Sequence, residues 1–285
     1  MNAELDVRPS PIAGQWYPGD PKRLAASVDR YIHEAKIPEL KGEIVAIVTP
    51  HAGHIYSGPV AGYAFATLQG LKPVLVAVIS PMHDYYNEPF LTTAHQAYET
   101  PLGAIPVDGE AVKMLNDLLV KELGYGLTRI RRDHEHSLEI ELPFLQRVVG
   151  ADFKLLPVMV RDQGRRGTHI LGQCLAKTLK GSDALLVAST DLSHFYPQDM
   201  ANALDGVMLH CIESFDPDAV IRAEEEGRGF ACGRGALAAV LWAAKDLGAD
   251  TVKILNHATS GDVTGDTSQV VGYGAAVVLR QAAAA

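Results

Sequence analysis

The sequence predicts an α/β fold, a three-layer α/β/α sandwich around a mostly parallel or mixed sheet. Short apolar runs rich in β-branched residues recur along the chain, and segments with helical periodicity separate them. Strands that are apolar along their whole length are typical of a sheet covered by helices on both faces. A chain of 285 residues can bury a large core, and we expect a single domain over residues 1–285.

Six segments are predicted to be strands, because each is short, apolar and rich in valine, isoleucine and leucine. They are residues 43–49, 74–80, 153–160, 184–189, 252–256 and 270–279. After Gln281 the chain is rich in alanine, and this end is expected to fray.

The predicted helices begin at recognisable start signals. Asp20 and Asp216 each precede a proline, which places an N-cap residue before a proline in the first turn. A further helix starts at Asp108, and Pro143 is expected to kink or interrupt a helix over 135–149. The remaining predicted helices cover residues 165–179 and 234–247.

The charge and the cysteines limit the class of protein. The formal net charge of -9 and the pI near 5.6 argue against partners that present phosphate backbones or anionic lipid, so we expect no nucleic acid and no membrane as a partner. No apolar run approaches the roughly 20 residues of a membrane helix. The three cysteines form no CxxC pair and the chain begins without a secretory signal, so a reducing, cytoplasmic location is expected.

Three histidines, His51, His83 and His194, come shortly after predicted strands. Ligands of open α/β sheets bind beyond the carboxyl ends of the strands, where side chains from separate strands converge. A single histidine in such a place more often has a structural role, but three at one edge favour a shared functional pocket. We therefore expect these imidazoles to lie together.

Cys232 directly precedes a predicted helix, where backbone NH groups and the helix dipole favour a thiolate. A thiolate is a soft metal ligand; the alternative is a small hydrophobic side chain packed at the start of the helix, the role assigned to Cys174 and Cys211. A metal bound by His51, His83 and Cys232 would keep an open coordination position. Catalytic zinc and non-haem iron sites require such a position, and copper is also compatible.

Acidic residues lie near these candidates. Asp191, three residues before His194, either orients that imidazole or bonds within the metal site, or else caps the turn after the strand. Glu135 and Glu139 would share one helix face and border the pocket, although a solvated helix start is the simpler account. Their segment does not match the H-E-x-x-H zinc motif, because Leu138 stands where the second histidine is required.

The chain resembles the Memo family in six segments that follow one another in the family's order. These segments read AGQWYP at 13–18, PHAG at 50–53, SPMH at 80–83, EHSLE at 135–139, DLSH at 191–194 and CGR at 232–234. Members of that family are similar to the catalytic subunit of class III extradiol dioxygenases. The resemblance implies that His51, His83 and Cys232 occupy metal-ligand positions and that His194 corresponds to the acid/base histidine of the dioxygenases.

Two departures from these patterns bear on the chemistry. The dioxygenases have a carboxylate where this chain has Cys232, which argues against ring-cleaving oxygen chemistry and favours softer metals. His54 stands where Memo-like proteins more often carry an aromatic residue. Prokaryotic proteins of this kind are associated with a radical-SAM protein and a small companion domain, and the resemblance suggests both as partners.

These observations leave two main hypotheses. The first is a metal-dependent redox enzyme, dioxygenase-like, with iron or copper as the favoured metal and zinc as a further choice, in which His194 transfers a proton and Asp191 assists. The second is a non-catalytic module with a vestigial dioxygenase pocket, which binds a peptide or protein through Trp16, Tyr17 and Tyr56. A metal-dependent hydrolase is less favoured, since no glutamate stands in a recognised general-base spacing. The substrate is an unknown small molecule or peptide.

Overall fold

The computed structural model describes residues 5–281 and has the predicted α/β architecture. A mixed sheet of nine strands carries helices on both faces, and a second sheet of three strands is formed by other parts of the chain. The predicted fraying of the alanine-rich end concerns residues outside this range. The expectation of a single domain stays a prediction.

Strands and helices alternate along most of the chain. The strands are β1 (Val7–Arg8), β2 (Glu43–Thr49), β3 (Leu75–Pro81), β4 (Phe90–Thr93), β5 (Ala97–Thr100), β6 (Gly103–Pro106), β7 (Thr128–Ile130), β8 (Lys154–Val160), β9 (Ala184–Ser189), β10 (His194–Tyr196), β11 (Thr251–Thr259) and β12 (Val270–Arg280). The helices are α1 (Pro21–Glu34), α2 (His54–Ala66), α3 (Gly109–Leu123), α4 (Leu142–Val148), α5 (Arg165–Leu179), α6 (Gln198–Glu213), α7 (Pro217–Glu225), α8 (Arg234–Asp246) and α9 (Ser260–Thr264), with a short 3-10 helix over Glu139–Glu141. Within residues 5–281, no helix is both long and apolar enough to span a membrane.

The large sheet has the strand order β11-β12-β2-β9-β3-β8-β4-β7, and β10 pairs with the first residues of β12. Its four central strands, β2, β9, β3 and β8, run parallel, whereas β12 and β4 run antiparallel to their inner neighbours. Thr49 of β2 is level with Ser189 of β9, and Ile79 of β3 is level with Ala188. The carboxyl ends of β2, β3 and β9 therefore meet at one edge of the sheet, where ligands of such folds bind.

Hydrophobic cores lie on both faces of this sheet. In β3, Leu75, Ala77 and Ile79 belong to one core, and Val76 and Val78 belong to the other. Helices α3, α5, α6, α7 and α8 cover the first core, and α1, α2 and α4 cover the second. A strand buried on both faces needs apolar residues at every position, which is why the central strands are continuous apolar runs in the sequence.

All six predicted strands are present, and so are the helices predicted from start signals. The helix predicted over 135–149 is wrong in its first half, because residues 133–138 form no helix. Pro143 lies in the first turn of α4, where its missing NH group costs nothing, and it does not kink a longer helix. Helix α2 and the small sheet of β1, β5 and β6 have no counterpart among the predicted elements.

Candidate metal centre

Three histidine side chains converge at the edge where β2, β3 and β9 end. His51 follows β2 and His83 follows β3, as predicted, while His136 comes from the irregular segment before the 3-10 helix. The ligand atoms that these three residues offer lie within 4.8 Å of one another. The rings of His83 and His136 stack with centroids 4.7 Å apart, and His51 stands edge-on to both. We call His51, His83 and His136 the histidine group.

Cys232 lies beside the histidine group, just before α8. Its Sγ is 3.1 Å from Nε2 of His51 and 3.3 Å from the amide nitrogen of Asp191. Two possible donor sets therefore share His51: the three imidazoles, and the predicted set in which Cys232 takes the place of His136. Imidazole and thiolate donors both suit iron, copper and zinc.

The protonation state of Cys232 differs from the expected thiolate. Burial raises the pKa of the thiol well above its ordinary value, and the nearby charge of Asp191 raises that pKa further. These two effects outweigh the influence of the NH groups and dipole at the start of α8. Without a metal, the Cys232 side chain is therefore a thiol. A metal that takes Sγ as a ligand would have to displace its proton.

Hydrogen bonds fix the ring of His51. Its Nδ1 is 2.9 Å from Oγ of Ser189, which also lies 2.8 Å from the carbonyl oxygen of Ser137 and 2.7 Å from Oε1 of Glu141. Burial raises the pKa of Glu141 well above its ordinary value, although the hydrogen bond from Ser189 acts to lower it. The Ser189 hydroxyl donates to the Ser137 carbonyl and to Glu141, so its Oγ accepts from Nδ1–H of His51. This tautomer leaves Nε2 of His51 unprotonated, so it can accept from the Cys232 thiol or bind a metal.

A buried carboxylate holds the other two histidines. Oε1 of Glu135 lies 2.9 Å from Nδ1 of His83, and Oε2 accepts from the amide of His83 at 2.5 Å. Oε1 also accepts from the amide of His136. Burial acts to raise the pKa of Glu135, but the hydrogen bond and charge of His83 outweigh burial and lower the pKa to about 2. Glu135 is therefore an anion that orients His83, as carboxylates do behind metal-bound imidazoles.

The expectation of a solvated helix start at Glu135 and Glu139 is wrong, because both side chains are buried. Arg8 forms ion pairs with Glu139 at 2.6 Å and with Asp133 at 2.5 Å, and the hydroxyl of Tyr17 donates to Glu139 at 2.7 Å. These contacts tie the start of the chain to the segment that carries the histidine group. Tyr17, a predicted binding residue, is consequently only 3% exposed.

His194 follows β9, as predicted, and its Nδ1 donates to the carbonyl oxygen of Leu192 at 2.8 Å, which leaves Nε2 free. Burial lowers the pKa of His194, so the ring is neutral near neutral pH. His194 does not belong to the histidine group; its ring packs against those of Phe195 and Phe230, with centroids 5.7 and 5.5 Å away. Asp191 does not bond to the His194 ring; its Oδ1 accepts from the amide of His51 at 2.7 Å, and burial raises its pKa to about 7.

An open cavity of about 600 Å³ adjoins the histidine group through Ala52, which follows His51, and through Trp16, but none of the three histidines lines it. Trp16 lines it, and the ring of Trp16 lies 4.0 Å from that of His136, centroid to centroid. Tyr56, which is 41% exposed, and Phe195, which follows His194, also line the cavity. Of the three predicted binding residues, Trp16 and Tyr56 thus face this cavity, whereas Tyr17 does not line it.

Sequence reasoning from strand ends misses His136. Its segment does not directly follow a central strand, so the rule that selects His51 and His83 cannot select it. The signal available was the EHSLE segment at 135–139, which carries part of the family resemblance.

Fold and site together define an α/β protein with a candidate metal centre at the carboxyl edge of its sheet. The sequence model of the Memo-like protein family matches residues 8–277. A MEMO1 family protein of Nitrosopumilus maritimus is 34% identical over 276 residues, which cover 94% of this chain and 98% of that protein. One from Thermotoga neapolitana is 36% identical over 284 residues, covering 95% and 99%. The chain therefore belongs to the Memo family.

A solved structure of an uncharacterized protein from Escherichia coli K12 superposes on 82% of this chain and 100% of its own. The two sequences are 12% identical and the TM-score is 0.48.

Proposed function

We propose that this protein is a metal-dependent oxidoreductase with a mononuclear iron or copper centre, related in its chemistry to the extradiol dioxygenases; zinc is the alternative metal. The observation that carries the proposal is the histidine group, whose ligand atoms lie within 4.8 Å of one another, with Sγ of Cys232 3.1 Å from His51. Three or four donors of this kind leave coordination positions open for a small molecule.

The residues fit such an ion in their donor chemistry. Nε2 is the ring nitrogen of both His51 and His83 that could bind the ion, because Nδ1 of each is engaged by Ser189 or Glu135. His136 or Cys232 would complete the ligand set. A bound iron or copper ion would supply redox chemistry and Lewis acidity at the carboxyl edge of the sheet, beside the cavity.

His194 is the proposed acid/base residue, since it is neutral and its Nε2 is free to take a proton. The hydrogen bond from Nδ1 to Leu192 holds the ring in one tautomer. Asp191 and Glu135 hold the backbones of His51 and His83, so these side chains keep their positions when the substrate binds. The aromatic walls of the cavity would hold the substrate beside Trp16.

The test is oxygen uptake by protein loaded anaerobically with Fe(II), and in a parallel series with Cu(I), and then mixed with aerated catechol-type compounds. We expect uptake by the wild type and a loss of about 100-fold or more in His194→Gln, with equal iron content, because only the proton transfer is removed. His33→Gln, an exposed histidine on α1, is the matched control and should keep the wild-type rate. Full activity in His194→Gln would exclude its acid/base role, and no uptake by the iron- or copper-loaded wild type would exclude the proposal.

A second candidate function is non-catalytic binding of a peptide or protein at the same cavity. Exposed apolar side chains at its rim, Ile55 and Tyr56, favour this candidate. In that case Tyr56→Ala weakens partner binding, while the metal-loaded protein takes up no oxygen with any substrate. The radical-SAM protein and companion domain suggested by the resemblance stay proposed partners, and a cytoplasmic location stays a proposal as well.

A further inference from the structure

Phe195 has a backbone conformation that bulky residues rarely adopt. Its φ is +63°, in the left-handed region, and among residues 5–281 only one other residue besides glycines, Phe215, has a positive φ. Side chains with a Cβ are disfavoured in this region, and such strain persists only where the surrounding structure enforces it.

A β-bulge produces this conformation. Where β10 pairs with β12, His194 is level with Val271 and Tyr196 is level with Val270, so Phe195 is an extra residue without a partner. Neighbouring residues of a regular strand point to opposite faces of the sheet. Here the rings of His194 and Phe195 lie with centroids 5.7 Å apart, so the bulge brings both side chains to the same side.

Packing does not explain the strain at Phe195. The other strained residue, Phe215, is only 6% exposed, and burial of its ring in the core offsets the cost of its backbone. Phe195 is 68% exposed and gains little from burial. A strained backbone that holds an apolar ring in solvent, beside the candidate acid/base histidine, suggests that the ring has a contact to make with a ligand.

The cavity beside Phe195 suits a flat and uncharged group. Trp16, Tyr56 and Tyr273 provide further aromatic faces in its lining, which includes no lysine or arginine. Its one charged lining residue, Asp266, uses its carboxylate to bond to Ser268. An anionic ligand would lose its hydration there without gaining a cationic partner, whereas a neutral aromatic ring would gain stacking contacts.

We propose that Phe195 is a specificity-determining residue, whose ring stacks on a flat, uncharged aromatic group held in the cavity on the side of His194. The role of this group as a substrate rests on the proposed function. Its binding does not, because none of the contacts invoked involves a metal.

The experiment uses the metal-free, full-length protein and two naphthalene probes that differ in charge, 2-naphthol and 2-naphthoate, titrated by saturation-transfer NMR. We expect the wild type to bind 2-naphthol at least about ten-fold more tightly than 2-naphthoate, and Phe195→Gly to weaken 2-naphthol binding by about ten-fold, the value of one aromatic stack. Tyr196→Ala, which removes the neighbouring aromatic ring outside the cavity lining, is the matched control and should bind like the wild type.

Folding is monitored in the same variants by thermal unfolding. Phe195→Gly should unfold at no lower temperature than the wild type, because glycine tolerates a positive φ and little buried surface is lost. Three results would each overturn the proposal. They are wild-type affinity for 2-naphthol in Phe195→Gly, tighter binding of 2-naphthoate than of 2-naphthol by the wild type, and no binding of 2-naphthol by the wild type. A separate Fe(II) titration that fails would overturn the proposed metal centre and leave the result for Phe195 standing.

Discussion

At the scale of single residues, the burial of His54 makes the stability of the folded protein depend on pH. Its ring lies between those of Tyr17 and Phe144, and its Nε2 is 3.0 Å from the carbonyl oxygen of Ile140. Nδ1 has no hydrogen-bond partner among residues 5–281. Burial lowers the pKa of this histidine from 6.5 to about 4, so the folded protein holds it neutral. A titratable side chain thus lies buried in an aromatic environment.

We predict that His54→Phe makes stability less sensitive to acid. Because the folded-state pKa of His54 lies below the unfolded value, the unfolded chain takes up the proton first as the pH falls. Stability from this residue is therefore fully present above about pH 6.5 and is lost as the pH falls toward about 4. Urea unfolding should show that the wild type loses about 2 kcal/mol more than His54→Phe between about pH 7 and about pH 5. The same loss in both proteins would contradict this account of His54.

At the scale of elements, helix α2 begins at His54, three residues after His51. It packs on α1 through two glycines: a Cβ on Gly58 would meet the Tyr31 ring at 2.6 Å, and a Cβ on Gly62 would meet the Tyr31 carbonyl oxygen at 2.3 Å. The two helices approach closely only because these positions lack side chains. Backbone atoms cannot move aside as a flexible side chain can, so Gly62 is the more restrictive of the two.

We predict that Gly62→Ala lowers the free energy of unfolding by about 2 kcal/mol, since the added methyl group must push α1 and α2 apart. Gly206, in the middle of α6, would gain a Cβ with no atom within 4 Å beyond its chain neighbours and its own helix backbone, and it serves as the matched control. Gly206→Ala should raise the free energy of unfolding by about 0.5–1 kcal/mol, because alanine loses less backbone entropy in a helix. Equal effects of the two substitutions in urea unfolding would show that the helix contact is not tight.

The same elements show what the sequence can and cannot predict. The central strands are predictable because burial on both faces imposes an unbroken apolar pattern, and strand ends then select His51, His83 and His194. Helix α2 is not predictable from the sequence, because Gly58, Pro59 and Gly62 are poor helix formers. Only the contact of the two glycines with Tyr31 explains why they are there. The burial of segment 133–139 depends on Arg8, which is 125 residues away from Asp133, and no local pattern reports such a contact.

At the scale of the whole molecule, the candidate metal centre joins parts of the chain that are remote in sequence. His51 and Cys232 are 181 residues apart, and each enters the site from the end or start of a separate element. An ion that binds only the folded chain stabilises the folded state. The gain in the free energy of unfolding grows with the logarithm of the ratio of the ion concentration to Kd. Metal binding should therefore raise the midpoint of thermal unfolding of the entire chain.

The most direct test of the metal centre is an anaerobic calorimetric titration of the metal-free protein with Fe(II), repeated with Cu(I) and Zn(II). His51 belongs to both donor sets, so we predict about one ion per chain for the wild type and no binding by a folded His51→Ala variant, with His33→Ala binding like the wild type. No binding of any of these ions by the wild type, or wild-type binding by His51→Ala, would contradict the proposal that the histidine group holds a metal.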